Sequence, residues 1–194
     1  MAKIVAQTQR LRLREWDPDD ETRFYDIMNR PDVMTHLGGV QTLEEWRAAY
    51  ERVVGFQQDY GHTFWILEDA EGQEILGFCG IKRANAPGAG ILTGKHEIGW
   101  RLRPEAWGQG LAKEAAIASL DLAFGALKAP EVIATTLPAN APSQGLMKRL
   151  GMTRREELDY VDTRFGPDMN PSIVFLIERE EWPAARAAAL APRS

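Results

Sequence analysis

The sequence predicts a mixed α/β (α+β) domain built on a mostly antiparallel central sheet, and three observations predict it. Two segments with an apolar helical face open the chain. A run of β-branched and aromatic segments separated by turn residues follows. A strand–helix–strand–helix alternation then closes it. The expectation is about seven strands flanked by about four helices, in one domain covering residues 1–194. A length of 194 residues with 44% hydrophobic and 26% charged residues suits one compact unit with a full core. No linker or internal repeat divides it.

In order, Leu11-Arg12-Leu13-Arg14 alternates apolar and charged residues as a half-buried first strand does. Asp17-Pro18-Asp19-Asp20 supplies a turn and a helix start, and Phe24, Ile27 and Met28 share one helical face. Pro31 is expected to end that helix, with Gly38-Gly39 as a loop. Thr42 followed by Glu45 forms a capping-box pattern opening a second helix, whose apolar face is Trp46, Ala49, Tyr50, Val53 and Val54. Residues 63–68 and 75–82 flank turn residues and read as a hairpin or meander. A Gly-rich loop with Pro87 covers 85–94; a strand resumes over 95–102 and Pro104 stops it. Residues 111–124 read as a largely buried helix, because Lys113, Glu114 and Asp121 gather on one strip, with Gly125 as its stop. A β-branched strand over 132–136, a short helix over 140–150 closed by Gly151, and strands around 157–161 and 172–178 complete the alternation. The Ala-rich tail after Glu180 reads as a last helix limited by Pro183 and Pro192.

Several function classes are disfavoured by composition. The longest apolar run, over 115–127, is interrupted by Ser119, Asp121 and Gly125 and is too short to span a bilayer, so no membrane partner is expected. The N-terminus lacks the apolar stretch and cleavage site of a secretory signal. A single cysteine, Cys79, makes no internal disulfide, which points to the reducing cytoplasm. A net charge of -5 argues against nucleic-acid binding, which relies on Lys and Arg neutralising phosphates.

The stretch richest in chemistry runs from His96-Glu97-Ile98-Gly99-Trp100-Arg101-Leu102 through Pro104 to Trp107-Gly108-Gln109-Gly110-Leu111-Ala112-Lys113-Glu114. It is a strand, a proline stop, a glycine turn and a helix start. Helix N-termini leave backbone N–H groups unpaired and carry partial positive charge, and glycines let a ligand approach the backbone, so such a turn suits a phosphate. It lacks the Lys-Ser/Thr of a nucleotide P-loop and the three-glycine spacing of a dinucleotide fingerprint. Taken alone, Gly108 and Gly110 are equally compatible with a plain tight turn.

The surrounding sequence resembles the GNAT acetyltransferase superfamily, in the branch of ribosomal-protein-alanine N-acetyltransferases. The resemblance covers nearly the whole chain. It is carried in order by Thr8-Gln9-Arg10-Leu11-Arg12-Leu13-Arg14, Glu97-Ile98-Gly99-Trp100, Trp107-Gly108-Gln109-Gly110-Leu111-Ala112, Asn140-Ala141-Pro142-Ser143 and Leu150-Gly151-Met152. It implies the GNAT fold, with acetyl-CoA as co-substrate and no metal. The acceptor is a primary amine, on a protein N-terminus or a small molecule, and a homodimer is in keeping with related enzymes. The resemblance further implies that backbone amides of Gly108, Gln109, Gly110, Leu111, Ala112 and Lys113 hold the pyrophosphate. The pantetheine arm would pair with the backbone of Trp100, Arg101 and Leu102. Trp107 stands where the family motif usually has Gln or Arg, so binding is expected to rest on backbone donors. Asn140 is a good helix N-cap, and the matching family residue also contacts the cofactor arm.

Acetyl transfer needs a neutral amine, whereas a Lys amine titrates near about 10.4 and an α-amine near about 7.7–8.0. It also needs donors for the oxyanion and, for the thiolate, a proton source. Glu97, where the family often has Glu, is the candidate base; His96 should face the other side of the strand. Many family members protonate the thiolate with a Tyr seven residues after the motif Asn; Met147 occupies that position here. Ser143 is then the candidate acid, Tyr160 is a second, and an unassisted thiolate is a third option. Cys79, between Phe78 and Gly80, reads as core. The resemblance implies an acceptor pocket built by the first two helices, their loop and the late strands, which makes Trp16, Phe24, His36, Trp46, Tyr160 and Phe165 candidates to line it, though core packing is the better account of any single aromatic. Direct attack in a ternary complex is the expected mechanism. The rivals are a catalytically weak acyl-CoA-binding module of the same fold, which the absent Tyr allows, and an unrelated phosphate-binding α/β domain.

Overall fold

The computed structural model describes residues 2–191; Pro192, expected to limit the tail, lies outside them. The chain forms two compact units, Met1–Lys82 with Gly99–Ser119 and Arg83–Ile98 with Leu120–Ser194.

The first unit holds β1 (Ile4–Gln7), β2 (Leu11–Arg14), α1 (Asp20–Met28), α2 (Pro31–Met34), α3 (Leu43–Tyr60), β3 (Phe64–Asp69) and nearly all of β4 (Ile75–Arg83). It also holds the C-terminal part of β5 (His96–Leu102) and the start of α4 (Leu111–Phe124). Its strands run in the order β1-β2-β3-β4-β5, with β1–β2, β2–β3 and β3–β4 antiparallel. The period-two pattern of β2 is visible in burial: Leu11 and Leu13 are fully enclosed and Arg12 is not. Arg14 is buried as well, because its guanidinium is held by Asp20 at 2.6 Å and Glu68 at 2.7 Å. Phe24, Met28, Val33, Trp46, Ile66, Ile75 and Phe78 form a core of this unit. Thr42 and Glu45 make the full capping box that starts α3, and Gly61 closes it in the left-handed conformation.

The second unit holds the N-terminal part of β5, β6 (Glu131–Thr136), α5 (Ala141–Arg149), β7 (Thr153–Arg154), β8 (Ile173–Glu178) and α6 (Trp182–Leu190). Its strand order is β5-β6-β8-β7. β5 and β6 are parallel, and β6–β8 and β7–β8 are antiparallel. Ala84, Ala89, Leu92, Ile133, Val174 and Leu176 form one core cluster here.

The fold class is the expected one, mixed α/β with mostly antiparallel strands. The described residues contain eight strands and six α-helices where about seven and about four were predicted. The additions include the short edge strand β1 and the one-turn helix α2. Pro31 does not end α1; that helix stops at Met28, and Pro31 opens α2, where its missing N–H costs nothing. Pro183 likewise sits in the first turn of α6 and starts the helix rather than limiting it. The strand expected around 157–161 is not formed: Glu156–Leu158 is a 3-10 turn, and Tyr160 makes only an isolated bridge to Ser172. β7 precedes it, at Thr153–Arg154.

Candidate active site

In the first unit, β5 ends at Leu102, a 3-10 turn follows over Pro104–Ala106, and α4 begins at Leu111. Gly108 (φ 72°) and Gly110 (φ 77°) occupy the left-handed region that side chains disfavour. A Cβ on Gly108 would meet nothing within 4 Å, and one on Gly110 would meet only the Arg10 guanidinium, at 3.8 Å. The space over the turn is therefore open rather than filled by the protein's own packing. Among the described residues the N–H groups of Gly110, Leu111 and Ala112 find no acceptor. Unpaired donors, positive helix-end potential and open space together fit the diphosphate of acetyl-CoA.

Side chains hold this turn in place. Trp107 Nε1 donates to the Leu102 carbonyl at 2.7 Å, and Gln109 Nε2 donates to the Glu105 carbonyl at 2.7 Å. Glu114, in the first turn of α4, accepts from Thr8 Oγ1 at 2.6 Å and from Arg10 Nε at 2.7 Å. Burial pushes the Glu114 carboxyl up, but the bonds from Thr8 and Arg10 outweigh it and hold the group below its ordinary value. Arg10 Nη1 also donates to the Gln109 carbonyl at 3.0 Å. The turn thus has a cation beside it that the sequence does not single out; the available signal was Arg10 within the Thr8-Gln9-Arg10 segment.

On β5, Leu102 is buried while Trp100 and Arg101 are half-buried. The Arg101 guanidinium lies 5.2 Å from the Phe78 ring centroid and 3.6 Å from Met34 Sδ, and burial pulls its pKa down to about 10. Cys79 and Ser119 meet at 3.5 Å in the interior, and burial pushes the thiol up to about 12. Cys79 is thus core, as the sequence implies. Trp16, Phe24 and Trp46 pack together with edge and stacked ring contacts in this unit.

In the second unit, β5 pairs with β6 through His96↔Val132 and Glu97↔Ile133. Strand alternation buries His96 and leaves Glu97 partly exposed. Glu97 Oε1 accepts from Thr135 Oγ1 at 3.1 Å. Tyr160 joins this cluster: burial raises its pKa, the negative charge of Glu97 raises it further, and hydrogen bonds with Ser172 and Thr135 only partly oppose them. Tyr160 is therefore held as the neutral phenol. Arg164, paired with Asp162 at 2.5 Å, carries a positive charge within electrostatic reach of Glu97. Phe165 is exposed and lies under the Arg164 guanidinium.

Asn140 caps α5, its Oδ1 accepting from the Ser143 N–H at 3.2 Å. The Ser143 hydroxyl has no hydrogen-bond partner among the described residues and is partly exposed. Met147 is buried, so the position of the missing Tyr belongs to the core of this unit. Among the described residues no group of three or more His, Cys, Asp or Glu is placed to hold a metal ion, and no helix is long and apolar enough to cross a membrane.

Residues 10–153 match the family described as "Acetyltransferase (GNAT) domain". The uncharacterized N-acetyltransferase YnaD of Bacillus subtilis (strain 168) is 31% identical over 179 residues, covering 90% of this chain and 97% of that protein. The crystal structure of an acetyltransferase from Agrobacterium tumefaciens str. C58 superposes with a TM-score of 0.73 at 26% identity, covering 89% of this chain and 93% of that one. RimL, a ribosomal L7/L12 alpha-N-protein acetyltransferase, shares the fold with a TM-score of 0.72 at 14% identity, covering 92% of this chain and 95% of its own. A family match across most of the sequence and a relative similar along nearly its whole length lead to one assignment: the chain belongs to the GNAT acetyltransferase family, acetyl-CoA-dependent enzymes that acetylate amines.

Proposed function

We propose that the protein transfers the acetyl group of acetyl-CoA to a primary amine, on a protein N-terminus or a small molecule, by direct attack in a ternary complex. The observation that carries this reading is the carboxylate of Glu97 bonded to Thr135 beside a phenol, Tyr160, that its surroundings keep neutral. A base and a proton donor are the two protein groups the reaction asks for. Glu97 takes the ammonium proton, directly or through one water. The amine nitrogen then bonds to the acetyl carbonyl carbon, the C–S bond breaks, and the sulfur leaves as thiolate. The nitrogen gives up its second proton to water, which replenishes the hydroxyl that protonates the sulfur. A hydroxyl, from Ser143 or Tyr160, supplies the proton that makes it a thiol.

In the same proposal the backbone of Gly108, Gln109, Gly110, Leu111, Ala112 and Lys113 binds the diphosphate, with Arg10 adding charge. The open turn and its unpaired N–H groups support that role. The pantetheine arm pairs with Trp100, Arg101 and Leu102, and Asn140 reaches the same arm while capping α5. The strand register with β6 involves His96 and Glu97, so Trp100–Leu102 take no part in it. The order of motifs along the chain supports the ribosomal-protein-alanine N-acetyltransferase branch. The test is acetyl-CoA turnover, followed by thiol release and by mass of the product, against peptides, polyamines, amino acids and aminoglycosides. Acetylation of at least one amine is expected; cofactor binding without turnover on any of them would point to the acyl-CoA-binding module instead.

A further inference from the structure

Arg101 stands apart from the other arginines of its unit that are at least partly buried. Arg12, Arg14, Arg30 and Arg103 each reach a carboxylate. The Arg101 guanidinium has none among the described residues. Its hydrogen bond goes to a thioether, Met34 Sδ, at 3.6 Å, and its Nε is closed off from solvent with no partner. Desolvating a guanidinium is costly unless an anion compensates, and a contact with one aromatic face recovers only part of that cost. The residue as a whole is nonetheless only partly buried.

The ground beneath it is rigid and apolar. The Phe78 ring stacks on Phe64 at 5.0 Å with the planes 3° apart, and on Phe24 at 5.9 Å. Lys82 Nζ lies 5.6 Å from the Phe64 centroid, which puts a second positive charge on the same aromatic floor. A planar, bidentate anion attached to an apolar body complements such a surface, and a guanidinium fork matches a carboxylate in shape as well as charge.

We infer that the acetyl acceptor carries a carboxylate near its amine, and that Arg101 binds it. This rests on the function proposed above, which sends the diphosphate of acetyl-CoA to the turn after β5 and only its uncharged pantetheine arm along the strand. The anion for Arg101 then comes from the acceptor. The substrate class is an amino acid or a short acidic peptide rather than a polyamine or aminoglycoside.

The experiment compares L-phenylalanine, L-methionine and L-glutamate with their α-amides, with rates expressed per neutral amine because amidation itself lowers the amine pKa. The acids are expected to be favoured in kcat/KM by about 10- to 100-fold, the range of one hydrogen bond to a charged group. Arg101→Met should collapse the acid-to-amide ratio towards one through the KM of the acids, and Arg101→Lys should restore part of it. An unchanged ratio in folded Arg101→Met, or a wild type that acetylates amides as well as acids, would overturn the inference. If no amine in the panel is acetylated, the transfer reading fails on its own account, and N-acetyl-L-methionine is titrated into both proteins by calorimetry. Binding by the wild type that is lost in Arg101→Met supports the carboxylate site; no binding, or equal binding, overturns it.

Discussion

Arg10 closes a 2.6 Å ion pair with Glu114 while its Nη1 donates to the Gln109 carbonyl at 3.0 Å, so one side chain grips both the first turn of α4 and the glycine turn before it. Arg10→Gln should weaken acetyl-CoA binding by about 10-fold through lost charge and a loosened turn. The pair is partly exposed, so the effect on stability should stay within about 1 kcal/mol. The Glu114 carboxyl is held below its ordinary value, so its contribution is present above the unfolded-state pKa and is lost as pH falls through the lower folded value. Calorimetric titration across acidic pH checks both; an Arg10→Gln affinity equal to wild type removes Arg10 from the site.

Gly110→Val places a branched side chain at a φ of 77° and in the open space above the turn. Acetyl-CoA affinity should fall sharply in protein that still melts cooperatively. Unchanged affinity in a folded variant would show that the diphosphate binds elsewhere.

The two hydroxyls are tested by separate substitutions. If Ser143 protonates the departing sulfur, Ser143→Ala lowers kcat and leaves acetyl-CoA affinity almost intact. Because the cap of α5 is made by the Asn140 side chain to the Ser143 backbone, this substitution keeps it. Tyr160→Phe removes a phenol held neutral beside Glu97 and tests the other candidate. Normal turnover in both variants means the thiolate leaves without a proton from the enzyme.

The buried thiol sets an alkaline limit on stability. The Cys79 pKa is pushed up to about 12 from an ordinary value of 9.0, so the unfolded chain ionises first as pH rises. The stability tied to the neutral thiol is complete below about pH 9 and declines by about 1.4 kcal/mol per pH unit until the folded pKa is reached. Urea unfolding between pH 8 and 11 should show this slope, and Cys79→Ala should flatten it. Identical slopes would place the alkaline loss on other groups.

Elements specified by local chemistry were legible in the sequence. The capping box at Thr42 and Glu45, the apolar stretch of α4 and the Asn140 cap each depend on neighbours a few residues away. Pro31 was ambiguous because the missing N–H that stops one helix also suits the first position of the next. The stretch around Glu157 turns rather than extends, because Tyr160 finds a ladder partner only at Ser172. The glycine turn before α4 was visible because its positive φ values call for glycine. Arg10 beside that turn was not, since its partners lie about a hundred residues away. Tyr160 was legible as a hydroxyl, but its nearness to Glu97 comes from packing between distant segments.

The assignment of Glu97 as base is tested by single-turnover and steady-state kinetics of Glu97→Gln, which keeps the size of the side chain and removes its proton-accepting charge. With a confirmed amine acceptor, kcat should fall by about 10²–10⁴-fold across neutral pH while acetyl-CoA affinity holds. Turnover close to wild type over the same range would contradict it and pass the role to another group or to bulk water.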